Sequence, residues 1–273
     1  MSPRFVAGLS SHPTPAVATA EVVGQLQDYS VEPPSVVVVF VTGRHQEFSV
    51  KILATIEAVA SPEHLFGCCA PGVIGQGELV GGADAISLWA AWDLPVEPLF
   101  ISAAGSTVPC WDGLPDHIDA GSVAVVLASA TDLAPDLLAR EFNNRYDEVV
   151  LCGGIVTNPQ GHPSVLASTP NQLGAVGFVL PPGAAQHHHV RHPSALVLSQ
   201  LSAPAETESN LLFQSAGVGL RDAVWSEHGS MLFHDAEVGH NLAGMLTTGE
   251  FACRDGHNAS HLFSAGLVVF TNS

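Results

Sequence analysis

Residues 35–41, Ser-Val-Val-Val-Val-Phe-Val, form an unbroken β-branched apolar run. Such a run is the pattern of a strand covered on both faces, and therefore central in its sheet. Similar runs occur at 122–130 and 194–199. Each is followed by an amphipathic stretch, then by a glycine-rich segment, then by a second apolar strand. The glycine segments are Leu-Phe-Gly-Cys-Cys-Ala-Pro-Gly-Val-Ile-Gly at 65–75, Leu-Cys-Gly-Gly-Ile-Val-Thr-Asn-Pro at 151–159 and Leu-Ala-Gly-Met-Leu-Thr-Thr-Gly-Glu at 242–250. The closing strands fall at 85–92, 175–180 and 265–270. The pattern predicts three diverged copies of one unit, too few and unequal for a solenoid. The fold class expected is α/β (mixed α+β), with repeated β-α-β units forming layered sheets flanked by helices.

The spacing of apolar positions adds the helices. After a first strand at 5–9 and a proline-rich turn, a helix over 16–26 turns Val17, Val22, Val23 and Leu26 inward. A second over 47–60 carries the stripe Phe48, Ile52, Ile56 and Val59, leaves Lys51 outside and stops at Ser61-Pro62. A third over 135–146 starts at Pro135, with Asp132 as its cap. The proline- and glycine-rich stretch 95–121 reads as a simple connection between copies, or else as an excursion or lid. Residues 181–193, with His187, His188, His189 and His192, mark the sharpest change in composition. The boundary is placed there, dividing 1–182 from 183–273 within one compact body. A further helix is expected over 205–214.

Composition then narrows the function. The 273 residues are 47% apolar and 12% charged, with 26 glycines and 19 prolines, as in a compact, loop-punctuated globular protein. A formal net charge of −18 opposes both nucleic acid and anionic membrane surfaces as partners. The amino terminus lacks the apolar core of a secretory leader and no stretch approaches the ~20 apolar residues of a bilayer span, so a cytoplasmic location is expected. Five cysteines without a C-x-x-C pair read as reduced thiols.

Several segments together resemble the FIST family, the F-box and intracellular signal transduction proteins. They are Leu-Ser-Ser-His-Pro at 9–13, Phe-Val-Thr-Gly-Arg-His at 40–45, Gly-Cys-Cys-Ala-Pro-Gly-Val at 67–73, Gly153-Gly154, and the tail of 242–250 with Asn258, His261 and the strand 266–270. The resemblance implies a FIST amino-terminal-like part over 1–182 and a shortened carboxyl-terminal-like part over 183–273. It also implies an intracellular sensory module that recognises a small molecule, such as an amino acid or other small carboxylate. A signalling protein as partner and a homo-oligomer are left open, and no cofactor is named.

The candidate ligand-binding residues are Arg44, His45, Gly67, Cys68, Gly72, Thr248, Glu250 and Asn258. Arg44 could hold a carboxylate in bidentate geometry, or else form a surface ion pair. The glycines of 67–75 could offer backbone amides to an anion, or else pack a helix tightly on a sheet. Glu250 could take an ammonium while Thr248 bonds the carboxylate, or else serve as a structural hydrogen-bonding group. No G-x-G-x-x-G follows a strand and no phosphate-binding loop is present, so nucleotide binding lacks support. In the histidine run, His187 and His189 could share a metal while His188 turns away, but the run reads first as a solvated linker and no metal is assigned. The alternative to a binding module is an enzyme on the same scaffold. It would use His12, His45, Cys68 or Glu250, or a metal or haem at the histidines.

Overall fold

The computed structural model describes residues 2–104, 110–157, 163–168, 173–191, 209–215, 224–225, 230–232, 242–262 and 264–270. The chain passes three times through one arrangement. The first unit comprises β1 (Arg4–Ser10), α1 (Pro15–Tyr29), β2 (Val36–Thr42), a 3-10 turn (Gly43–Phe48), α2 (Ser49–Ala60), β3 (His64–Cys69), β4 (Gly72–Gly75), β5 (Glu78–Gly81) and β6 (Ala85–Trp92). The second comprises β7 (Glu97–Ala104), β8 (Cys110–Asp112), β9 (Val123–Ser129), α3 (Pro135–Arg145), β10 (Val150–Val156), β11 (Val165–Ala167) and β12 (Ala175–Leu180). The third comprises β13 (Ala185–Arg191), β14 (Ser209–Ser215), β15 (Val224–Trp225), β16 (Ser230–Leu232), β17 (Leu242–Thr247), β18 (Gly249–Arg254), β19 (His257–His261) and β20 (Ser264–Phe270).

Strand order shows the repeat directly. It runs β1-β6-β2-β3 in the first sheet, β7-β12-β9-β10 in the second and β13-β20-β14-β17 in the third. In each unit the opening strand is parallel to the strand of its glycine segment and antiparallel to the closing strand. The strand after each glycine strand leaves its own sheet. Thus β4 pairs with β17 of the third unit, β11 with β3 of the first, and β18 with β10 of the second. The exchange is cyclic, so each unit completes the sheet of another.

Period-two alternation sorts the opening strands between two environments. Val37, Val39 and Val41 of β2 pack under α1 and α2, whereas Val36, Val38 and Phe40 enter a core shared by all three sheets. In β9, Ala124, Val126 and Ala128 lie with α3, and Val123, Val125 and Leu127 face the shared core, joined by Leu211 and Phe213 of β14. That core is aromatic. The Trp89 ring stacks on Phe178 at 6.3 Å and lies 4.5 Å from Phe270, while Phe66 meets Phe178 at 6.0 Å. Each such ring contributes about 1.5–3 kcal/mol by burial. Trp89 Nε1 also donates to Ser209 Oγ at 2.7 Å, tying the first unit to the third.

Several sequence expectations need correction. Residues 209–215 are strand β14, not the end of a helix over 205–214; the Leu-Leu-Phe run at 211–213 is paired on both sides. The other opening strand expected at 194–199 lies outside the described residues, and β14 takes its place. Residues 185–191 are strand β13, paired along its length with β20, not a solvated linker. His192 lies outside the described residues. The connection 95–121 contains β7 and β8. Asp132 does not cap α3, whose N-cap is Ala134; its carboxylate instead accepts from Ser129 Oγ at 2.5 Å. Phe48 and Val59 stand half exposed instead of completing the α2 stripe, and Val17 likewise faces outward on α1.

Candidate functional site

The Gly43–Phe48 turn sits at the carboxyl end of the central strand β2, where ligands gather in open α/β sheets. It bounds an open depression of about 690 Å³ lined by Thr42, Gly43, Arg44, Gln46, Glu47, Pro71, Gly82, Ala83 and Asp84. The two walls are joined by one ion pair. Arg44 Nε and Nη2 donate to Asp84 Oδ2 at 2.9 and 2.5 Å, and the Arg44 backbone N–H donates to Oδ1 at 2.7 Å. The guanidinium side chain is 76% exposed while Asp84 is 12% exposed, so the carboxylate forms the floor and the arginine the rim. Hydrogen bonds from Arg44, side chain first and backbone second, hold the Asp84 carboxyl below its ordinary pKa. Gly43 has φ +65, and a Cβ there would come within 2.5 Å of Asp84 Oδ1, so this close approach requires glycine. Gln46 Nε2 donates to the Ala70 carbonyl at 2.8 Å and fastens the turn to the segment before Pro71.

The other candidates lie elsewhere. His45 is fully buried, its Nε2 2.9 Å from the His12 carbonyl oxygen, and it does not line the depression. Gly67 lies within β3, where a Cβ would approach the Val39 carbonyl oxygen to 2.5 Å; close strand packing accounts for it. Gly72 is held between Leu246 and the Val80 carbonyl. Cys68 is buried with Sγ 3.0 Å from Met245 Sδ, and burial pushes its thiol well above the ordinary pKa. A buried, protonated thiol is inert as a nucleophile. Thr248 Oγ1 and its backbone N–H both donate to the Ile155 carbonyl, at 2.9 and 2.8 Å. Asn258 closes a structural clasp: its Oδ1 accepts from Leu151 N–H at 2.8 Å, its Nδ2 donates to the Val149 carbonyl at 2.9 Å, and its backbone is bonded by Asn143.

Glu250 occupies a second polar locus. It has no exposed surface, and His189 Nε2 stands 3.5 Å from its Oε1. The His189 and His261 rings lie 4.5 Å apart. Burial raises the Glu250 carboxyl pKa against smaller opposing interactions with His189, Ser264 and the Gly266 amide. Burial, followed by neighbouring imidazoles, lowers His187 to about 3. Thus the structure brings the Arg44 turn and Pro71 of the first glycine segment together, and places the Thr248–Glu250 segment apart from them. The space between the three sheets is filled by the aromatic core. Sequence reasoning missed Asp84 and Glu47; the only local signal was the Gly-Gly-Ala-Asp turn at 81–84 ahead of β6.

Among the described residues no helix is long and apolar enough to cross a membrane. No curated protein matches the chain. Among solved structures it is similar to a cyanuric acid hydrolase from A. caulinodans, at TM-score 0.40 and 12% identity over 99% of this chain and 100% of that one. It is also similar to a cyanuric acid hydrolase described as an evolutionary innovation by structural concatenation, at TM-score 0.41 and 9% identity over the same shares. The FIST N domain model matches residues 35–192, more than half of the chain, from the central strand β2 through the Arg44 depression to the histidine strand β13, and the protein belongs to that family.

Proposed function

We propose that this FIST protein is a cytoplasmic small-ligand sensor whose ligand, a free amino acid or similar small zwitterion, binds at the Arg44 depression. The observation that carries this reading is the charge arrangement of the depression. One guanidinium stands at the rim with donors still facing outward, and two carboxylates, Asp84 and Glu47, line the same hollow. A ligand carboxylate matches the free edge of the guanidinium, which binds such groups in bidentate geometry. The ligand ammonium would lie toward Glu47, since Asp84 already accepts three hydrogen bonds. A simple carboxylate lacks the second interaction and meets an acidic floor, so a zwitterion fits better.

Signalling would follow from the position of the turn. It joins β2 to α2, and its partner wall at Gly82–Asp84 leads into β6, so a ligand bridging both walls biases how α2 and the first sheet sit for a partner protein. Calorimetry of untagged protein against free α-amino acids, with acetate and methylamine as the separated halves, tests the reading. Binding of at least one amino acid, weakened about tenfold or more in Arg44→Ala, is the expected result. Absence of binding across the panel, or an affinity that Arg44→Ala leaves unchanged, overturns it. Chemical turnover of the bound molecule would favour an enzyme.

A further inference from the structure

On β13, His187 and His189 project to one face, and His188 to the other, because side chains alternate along a strand. Their cross-strand partners on β20 are Val268, which belongs to the shared core, and Gly266. Gly266 has no side chain, and the space above it is where the polar groups meet. A Cβ placed there would lie 3.3 Å from His187 Nε2 and 4.0 Å from Glu250 Oε2. Glu250 reaches the same space from β18. The Nε2 atoms of His187 and His189 and both carboxylate oxygens of Glu250 are buried without a hydrogen bond of ordinary geometry, although Ser264 and the Gly266 amide lie near the carboxylate. Buried polar atoms in native proteins are rarely left so, and such a concentration points to a missing partner.

We propose that His187, His189 and Glu250 are the ligands of a divalent first-row transition cation, zinc foremost, held between β13, β18 and β20. Two imidazoles and a carboxylate form a donor set suited to zinc and to ferrous iron. The spacing of two of these donors agrees with it. His189 Nε2 and Glu250 Oε1 stand 3.5 Å apart, long for a hydrogen bond. Two ligand atoms around tetrahedral zinc, with bonds of about 2.1 Å, are separated by roughly 3.4 Å. Among the described residues no three such side chains already converge on one point. His189 and Glu250 stand closest together, and His187 Nε2 borders the same space, 3.3 Å from the Cβ position of Gly266, so it would complete the donor set only by moving toward the ion. The His261 ring, 4.5 Å from that of His189, flanks the site. No residue of the Arg44 depression takes part, so the two sites can be tested independently.

The experiment uses the untagged full chain, stripped with a chelator and titrated with zinc against a chromophoric competitor, with the cobalt absorption spectrum as a second readout. The expected result is one equivalent bound per chain, a rise in melting temperature with zinc, and a cobalt spectrum of low-symmetry nitrogen and oxygen coordination. Glu250→Gln and His189→Gln should each weaken binding on the order of 100-fold, while His188→Ala leaves it intact. If a variant fails to fold, the zinc-dependent melting shift and cobalt spectrum of the native chain still decide the matter. Absence of stoichiometric binding by the folded native chain overturns the proposal. So does loss of binding in His188→Ala equal to that in His189→Gln, which would mark a surface histidine run and not an interior site.

Discussion

Arg44 directs two donors and its own backbone N–H onto Asp84, so the two residues act as one unit that fixes the rim of the depression. Because the folded-state pKa of Asp84 is lowered, the pairing is fully present above the ordinary carboxylate range and is lost only as pH falls through the depressed value. Ligand affinity that depends on Arg44 should therefore stay level from about pH 8 to pH 5 and fall only below the ordinary carboxylate pKa of about 3.9. Asp84→Asn tests the same unit at neutral pH. It removes the charge that orients the guanidinium and should weaken amino-acid binding about tenfold, while the double variant with Arg44→Ala is no weaker than Arg44→Ala alone. Strict additivity of the two losses in calorimetry would show that the residues act separately. Arg44 was legible in the sequence because only seven arginines occur and this one follows a central strand. Asp84 was not, since a carboxylate 40 residues away acquires its role only when β6 is laid beside β2.

At the scale of the strand, the three glycine segments share one physical cause. Gly67, Gly153 and Gly244 sit opposite Val39, Val126 and Leu212 in the parallel pairing of the three units. A Cβ at each would approach the partner carbonyl oxygen to 2.5, 2.0 and 2.0 Å. The repeat seen in the sequence is thus a repeat of close strand approach rather than of anion-binding loops. Gly244→Ala should destabilise the protein by about 2–3 kcal/mol or more, since backbone and not a movable side chain blocks the space. Gly24, inside α1 with nothing within 4 Å of its Cβ position, provides the control. Gly24→Ala should stabilise by roughly 0.5–1 kcal/mol through helix propensity. Urea unfolding of both variants checks the pair, and a Gly244→Ala midpoint at or above that of the native chain would refute the steric account. The β-branched run of β2 and the apolar closing strands were readable because burial on both faces leaves a continuous apolar signature. β13 was not: its alternation is among imidazoles, which imitate a polar linker until the glycine opposite them is known. β14 was obscured by the Glu-Thr-Glu-Ser stretch before it, which weakens the apolar run at 211–213.

At the scale of the molecule, repetition was visible in the sequence but the exchange between repeats was not, because pairing with another unit's edge leaves no local periodicity. The exchange determines how the protein must fold. The first unit's β4 is completed by β17 and the second unit's β10 by β18, both supplied by the third unit. The shared core likewise needs Phe213, Met245, Val268 and Phe270 from that unit to cover Phe5, Phe40 and Trp89. A fragment of residues 1–182 would therefore expose the inner faces of two sheets and leave β10 and β4 unpaired where β18 and β17 cover them, an arrangement prone to aggregation. It should lack a cooperative thermal transition, whereas the full chain should unfold in one transition seen alike by far-ultraviolet circular dichroism and tryptophan fluorescence. Trp89, which stacks with the second unit and bonds the third, is the most direct reporter of that coupling. Trp89→Ala should cost about 3–5 kcal/mol and lower the whole transition together. A soluble 1–182 fragment with a sharp transition of its own would instead mean that the third unit is an addition to a finished domain, and the cyclic exchange would be a contact between parts rather than the basis of the fold.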